Sequence, residues 1–260
     1  MSDIAIRPAL PEDVCPALAL AHRMCSGGVS PENYISGQWR MFVACDGADI
    51  VGMVCEREGV HISRLCVEPA YRCRGIAIRL MDAIIAAMAV PRVTLNSSPE
   101  AVPFYLKYGC VPLDGEQRRM EYVTPVVIRP AQPEEIPPAL DLAKRIFQEF
   151  IHPGENTAAN YDTEHETMFV AAAGTRVVGM ASQRDGCHIR KLYVEGAWHR
   201  QGIATRLLGA IIQSMGAERV TVNSSPYAMP FYLNYGFMPT GEEIQADGFV
   251  FTPMTYECTK

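Results

Sequence analysis

The sequence predicts two tandem α/β domains, each an α+β mixed sheet with helices packed on it. Three observations carry that prediction. Residues 41–85 and 168–212 align without a gap at an offset of 127, with 24 of 45 positions identical. The string Asn-Ser-Ser-Pro-x-Ala-x-Pro-Phe-Tyr-Leu-x-Tyr-Gly then occurs at Asn96–Gly109 and again, at the same offset, at Asn223–Gly236. Within each copy, short apolar runs separated by turn signals come first, and segments of helical periodicity link the later ones, as in a sheet that is antiparallel and then crossed over.

The period is far longer than the 20 to 50 residues of solenoids and propellers, so each repeated unit is a whole domain. Ile6-Arg7-Pro8-Ala9 and Ile128-Arg129-Pro130-Ala131 also match, but at an offset of 122. Five residues were therefore gained or lost between the first helix and the Met-Phe-Val-Ala strand. The expected domains are residues 1–125 and 126–260. The junction Tyr-Val-Thr-Pro-Val-Val has no Gly/Ser-rich stretch, so the halves are expected to abut as an intramolecular pair.

In order, Ile4 to Arg7 reads as a short strand, and Pro11-Glu12-Asp13 opens a helix with proline and acids in its first turn. Two strands follow, Met41 to Cys45 and Asp49 to Glu56, parted by an Asp-Gly turn; Glu58-Gly59 turns the chain into a third, His61 to Val67. The next helix keeps Ile76, Leu80, Met81, Ile84, Ile85 and Met88 at 3.6-residue spacing, and Pro91 closes it. Val93 to Asn96 is a strand, Pro99 to Tyr108 a short helix, and the remainder a final strand or hairpin. The second copy repeats this, with Ile203, Leu207, Leu208, Ile211 and Ile212 on its central helix.

Composition fits a soluble globular protein: 48% hydrophobic and 20% charged residues supply two cores without suggesting disorder. No apolar run approaches the length that spans a bilayer, and Met1 to Arg7 lacks the layout of a signal peptide. A cytoplasmic location and no membrane partner are the expectation. Nine cysteines, split seven to two between the halves and with no Cys-x-x-Cys spacing, read as reduced packing residues with no metal site. A net charge of −6 and a pI near 5.6 argue against a nucleic-acid surface. No P-loop, dinucleotide-binding, Gly-x-Ser-x-Gly or His-Glu-x-x-His string occurs. The Asn-Ser-Ser strings fit a glycosylation sequon but read as structural turns.

Chemistry concentrates between the third strand and the central helix: Tyr71-Arg72-Cys73-Arg74-Gly75-Ile76-Ala77 in copy one, Trp198-His199-Arg200-Gln201-Gly202-Ile203-Ala204 in copy two. A helix N-terminus presents unpaired N–H groups and about half a positive charge. Gly75 and Gly202 let an anion approach the backbone, Ala77 and Ala204 keep the first turn narrow, and the arginines add charge. Alone, such a string is more often an ordinary helix start. The environment of Cys73 suits a reactive thiol, although an inert one is the safer reading.

Arg-x-x-Gly-x-Ala here follows a strand ending Leu-x-Val and precedes Phe-Tyr-x-x-x-Gly. With Leu65-Cys66-Val67, Arg72 to Ala77 and Phe104 to Gly109, then Leu192-Tyr193-Val194, His199 to Ala204 and Phe231 to Gly236, almost the whole chain resembles two tandem domains of the GNAT acetyltransferase superfamily. The resemblance implies that acetyl-CoA lies between the third and fourth strands, with its pantetheine arm along Leu65–Val67 or Leu192–Val194 and its pyrophosphate on the turn. It also implies that Tyr105 and Tyr232 protonate the departing thiolate, as a phenol neutral at pH 7 is able to do. The acceptor would be a primary amine of a small molecule or peptide.

At the position where some relatives place a basic glutamate stand His61 and His188, imidazoles suited to accepting a proton, although a strand histidine satisfied by hydrogen bonds and without chemistry is the commoner reading. Glu58 and Asp185 are weaker candidates on a turn that favours acids anyway. Ser98 and Ser225 replace the usual cofactor-contacting asparagine. Copy two has His199 in place of Arg72, and it has Phe147-Gln148-Glu149-Phe150-Ile151-His152 followed by a longer loop where relatives shape the acceptor pocket. The C-terminal copy is therefore expected to be catalytic. An acyl-CoA sensor and a purely structural tandem scaffold are the rival readings, and assembly into a homo-oligomer stays open.

Overall fold

The computed structural model describes residues 4–24, 30–148, 161–246 and 249–258, and the chain divides into two units, Met1–Pro125 and Val126–Lys260. The first unit runs β1 (Ala5–Pro8), α1 (Pro11–Met24), α2 (Glu32–Ile35), β2 (Met41–Asp46), β3 (Asp49–Arg57), β4 (His61–Val67), α3 (Ile76–Met88), β5 (Arg92–Asn96), α4 (Val102–Tyr108), β6 (Val111–Pro112) and β7 (Arg119–Val123). Its sheet has the order β1-β2-β3-β4-β5-β7-β6, and only β4 and β5 pair in parallel.

The second unit repeats the plan with β8 (Val126–Pro130), α5 (Ile136–Gln148), β9 (Glu166–Ala173), β10 (Arg176–Arg184), β11 (His188–Val194), α6 (Ile203–Met215), β12 (Arg219–Ser224), α7 (Met229–Tyr235), β13 (Met238–Pro239), β14 (Ile244–Ala246) and β15 (Phe249–Glu257). The order is β8-β9-β10-β11-β12-β15-β13, with β14 on β15, and β11–β12 is the parallel pair. No described helix is long and apolar enough to cross a membrane. The segment expected to shape the acceptor pocket, Glu149 onward, lies outside the described residues.

Helices cover both faces of each sheet, which is why β3 and β10 are buried along nearly their whole length instead of alternating. In the first unit α3 and α4 pack on one face, with Leu80, Met81 and Ile84 fully buried, and α1 and α2 pack on the other. In the second, α6 and α7 share one core with Leu207, Leu208 and Ile211, while α5 covers the opposite face. Ile212 is only half-buried at the margin. A glycine lets each central helix approach: a Cβ on Gly52 would lie 3.2 Å from the Cys66 carbonyl and 3.3 Å from Leu80, and one on Gly179 would lie 3.1 Å from the Tyr193 carbonyl and 3.2 Å from Leu207.

The repeated Ile-Arg-Pro-Ala string has a structural purpose. Arg7 forks onto Asp13, which also accepts the Leu10 N–H at 2.7 Å; Arg129 forks onto Glu135 at 2.6 and 2.7 Å, and Glu135 accepts the Gln132 N–H. Both carboxyl groups are held below their usual range, first by the arginine hydrogen bond. The device ties the first strand of each unit to the start of its first helix.

Candidate active site

The parallel strands of each unit meet for two residues and then part. β4 pairs with β5 only at His61–Thr94 and Ile62–Leu95, yet it stays paired with β3 as far as Val67–Gly52. β11 likewise pairs with β12 only at His188–Thr221 and Ile189–Val222, while holding β10 to Val194–Gly179. A bulge sits at the fork, where Ser63 in β4 and Arg190 in β11 are skipped by the neighbouring register. The fork opens at the carboxyl ends of the parallel strands, the position where open sheets take ligands. Leu65–Val67 and Leu192–Val194 line it.

The turn after each strand has one shape in both units. Cys73 and Gly75 have φ of 62° and 74°; Arg200 and Gly202 have 61° and 70°. Left-handed residues in such a turn aim successive N–H groups into a concavity that suits an anion. A Cβ on Gly75 or Gly202 would meet no atom within 4 Å, so the space before the helix N-terminus is open and glycine is required by the backbone angle alone. The side chains do other work. Arg72 Nε donates to the Val67 carbonyl at 3.3 Å, and His199 Nε2 donates to the equivalent Val194 carbonyl at 2.8 Å. Arg74 donates to the Ala70 carbonyl and lies over the Tyr71 ring. The exchange of arginine for histidine thus keeps the turn fastened to the strand. Ile76 and Ile203 anchor the helix start in the core, with Ala77 and Ala204 beside them. Ser225 Oγ accepts the Ala228 N–H at 3.3 Å, and Ser98 precedes the equivalent turn.

Tyr105 and Tyr232 are buried, 6% and 5% exposed, in the cores beneath α3 and α6. Burial, and then the neighbouring Tyr193 phenol, push the Tyr232 hydroxyl well above its ordinary range. Tyr193 packs on the α5 side of the sheet and Tyr232 on the α6 side, with the strand ladder parted beyond Ile189. The histidines sit on the other side of the fork. Ile62 and Ile189 belong to the α3 and α6 cores, and alternation turns His61 and His188 to the opposite face.

Each histidine Nδ1 lies against its cross-strand threonine, His61 to Thr94 at 2.9 Å and His188 to Thr221 at 2.8 Å. The threonine hydroxyls are directed at the Val60 and Cys187 carbonyls, so they accept from Nδ1–H and leave Nε2 as the basic nitrogen. Burial lowers the pKa of both imidazoles. The threonines were invisible as partners in sequence, although their repeat at the histidines' offset was a usable signal. Glu58 and Asp185 have φ of 59° and 55°, the left-handed geometry of their turns.

The family profile for the acetyltransferase (GNAT) domain matches residues 19–126 and again 128–258. The chain belongs to the GNAT acetyltransferase family. Solved structures align with about half of the chain: a GCN5-related N-acetyltransferase from Rhodopseudomonas palustris is 22% identical, covering 53% of this chain and 99% of its own, with a TM-score of 0.43. The PaiA N-acetyltransferase of Thermoplasma acidophilum, solved with coenzyme A, is 15% identical over 52% of this chain and 99% of its own, with a TM-score of 0.43. Escherichia coli ElaA is 15% identical over 51% and 100%, with a TM-score of 0.42. No curated protein sequence matches the chain significantly.

Proposed function

We propose that the chain is an acetyl-CoA-dependent N-acetyltransferase acting on the primary amine of a small molecule or peptide, with the C-terminal unit as the catalytic one. The supporting observation is that one opening in the sheet has an anion-shaped turn at its end, a buried protonated tyrosine on one side and a neutral imidazole on the other. Acetyl-CoA, when bound, supplies an activated acetyl thioester. The ladder to β12 ends at Ile189, so Leu192–Val194 beyond it would take an extended pantetheine arm along the strand, with the Val194 carbonyl already accepting from His199, and the N–H groups around Arg200–Ala204 offer donors to a pyrophosphate.

Tyr232 holds a proton on its phenol oxygen for the departing sulfur, and His188 Nε2 takes the proton that the amine must lose, directly or through a water. Because acid and base lie on opposite faces, the reacting carbon has its place between them, in the fork. The N-terminal unit carries an equally formed turn but has Cys66 where the C-terminal unit has Tyr193, which favours coenzyme A binding with little turnover there.

Free-thiol release from acetyl-CoA with pooled amines tests the reading. Tyr232→Phe is expected to lower kcat by about 10²-fold, whereas Tyr105→Phe changes it little. Unchanged turnover in Tyr232→Phe across pH sinks the assignment; saturable coenzyme A binding with no transfer to any amine makes the protein a sensor instead.

A further inference from the structure

Buried polar groups are normally paired, and the α5 face of the second sheet breaks that rule at one spot. Glu166 on β9, Ser182 on β10 and Lys191 on β11 share this face with Met168, Val170 and Met180, and Ser182 and Lys191 are cross-strand partners. The side chains of Glu166 and Lys191 are 0% and 5% exposed, and Ser182 is 0% exposed. Glu166 Oε1 accepts from Arg190, but Glu166 Oε2, Ser182 Oγ and Lys191 Nζ have no hydrogen-bond partner among the described residues. Lys191 Nζ stands 3.9 Å from Glu166 Oε2, too far for a hydrogen bond.

The fold does not require this cluster. The matching positions of the first unit are Trp39, Cys55 and Arg64, with no carboxylate. One carboxylate faces two basic groups there: Glu166 is hydrogen-bonded to Arg190 and holds Lys191 only at ion-pair distance, while burial pushes the Lys191 amine below its ordinary range. A ligand with an anionic acceptor for Lys191 and a donor for Glu166 Oε2 and Ser182 Oγ, close together, would satisfy the set. The spot adjoins the reaction fork, since Lys191 directly precedes Leu192 and His188 faces the same side.

We infer that Glu166, Ser182 and Lys191 form the acceptor subsite and that the acceptor is a free α-amino acid, its carboxylate on Lys191 and its amino group between Glu166 and Ser182. This rests on the acetyl-transfer reading above. A peptide N-terminus or a simple alkylamine lacks the carboxylate and is a poor acceptor.

The test pairs each free amino acid with its decarboxylated amine on the full chain, read by thiol release and by the ligand-induced shift in melting temperature. At least one amino acid is expected to exceed its amine by about tenfold or more in kcat/KM, the size of losing one charge-paired contact. Lys191→Met is expected to collapse that ratio toward one by raising KM, and Lys191→Arg to restore part of it. Should Lys191→Met fail to fold, Ser182→Ala and Glu166→Gln carry the comparison, each raising KM for the amino acid.

A ratio near one with active transfer refutes the subsite and leaves the acetyltransferase standing. Amino-acid stabilisation that Lys191→Met abolishes, without transfer to any amine, keeps the subsite and overturns the acetyltransferase. Neither transfer nor stabilisation overturns both.

Discussion

Replacing Gly202 by alanine separates the cost of folding from the cost of binding. The residue has φ 70° and ψ 8°, a left-handed conformation that costs an L-residue about 1–2 kcal/mol. The added Cβ meets no atom within 4 Å, so no clash adds to that strain. For a unit of this size the melting temperature should fall by roughly 3–6 °C. The methyl group nonetheless enters the space in front of the α6 N-terminus, where the proposed pyrophosphate approaches the backbone. Coenzyme A affinity should therefore fall by about tenfold or more, at least about 1.4 kcal/mol. Isothermal calorimetry with coenzyme A measures it, with pantetheine, which has no pyrophosphate, as the control whose affinity should change little. Gly75, at φ 74° and ψ 2°, gives the same strain in the first unit, so Gly75→Ala reports on that site alone and the double variant should lose both. A folded Gly202→Ala protein with the expected loss of melting temperature and undiminished coenzyme A binding at two sites refutes the phosphate role of the turn.

Three further outcomes follow from the geometry. Burial lowers the His188 pKa from its ordinary 6.5, so the base is neutral through physiological pH and the acid limb of kcat/KM should lie below 6.5; the limb should vanish in His188→Gln and shift in Thr221→Val, and a limb at or above 6.5 counts against His188. Gly179→Ala places a Cβ 3.1 Å from the Tyr193 carbonyl and 3.2 Å from Leu207, so denaturant titration should show a loss of about 1–3 kcal/mol, with weakened coenzyme A binding because the displaced strand is the one that lines the fork. Glu135, depressed by Arg129, adds stability that is complete above its ordinary pKa of 4.5 and is lost as pH falls through the lower folded value; Glu135→Gln should cost about 1.5–3 kcal/mol at pH 7 and flatten that acid dependence in thermal melts, while an unchanged acid limb would move the effect to other carboxylates.

The repeat made the element order, the central helices and the turn legible, because hydrophobic period and the Asp-Gly and Glu-Gly signals act over a few residues. What stayed hidden depends on strand pairing. Nothing local says that β11 leaves β12 after Ile189, that Arg190 is a bulge, or that Thr221 selects the His188 tautomer. The contact that Arg72 and His199 share was hidden for a related reason. Read as charge beside a phosphate they look unequal, but the carbonyl they share, at Val67 and Val194, becomes visible only when the turn folds back on its strand. Glu166 escaped notice because it begins a strand far in sequence from Lys191.

The two units show which features tolerate exchange. Tyr71 donates to Asp46 in the first, where the second has Trp198 and Ala173; Tyr108 donates to Asp82 in the first, where the second has Tyr235 and Gly209. These swaps trade a polar pair for bulk or for space and leave the backbone of the turn and fork unchanged. The left-handed glycines, the histidine–threonine pairs and the tyrosines of α4 and α7 are the same in both. Left-handed non-glycine residues recur at matching places, Cys73 with Arg200 and Glu58 with Asp185, so the repeat preserves the backbone of its turns while the side chains change. Glu166, Ser182 and Lys191 stand where the first unit has Trp39, Cys55 and Arg64, so the proposed acceptor subsite is a feature of the second unit alone.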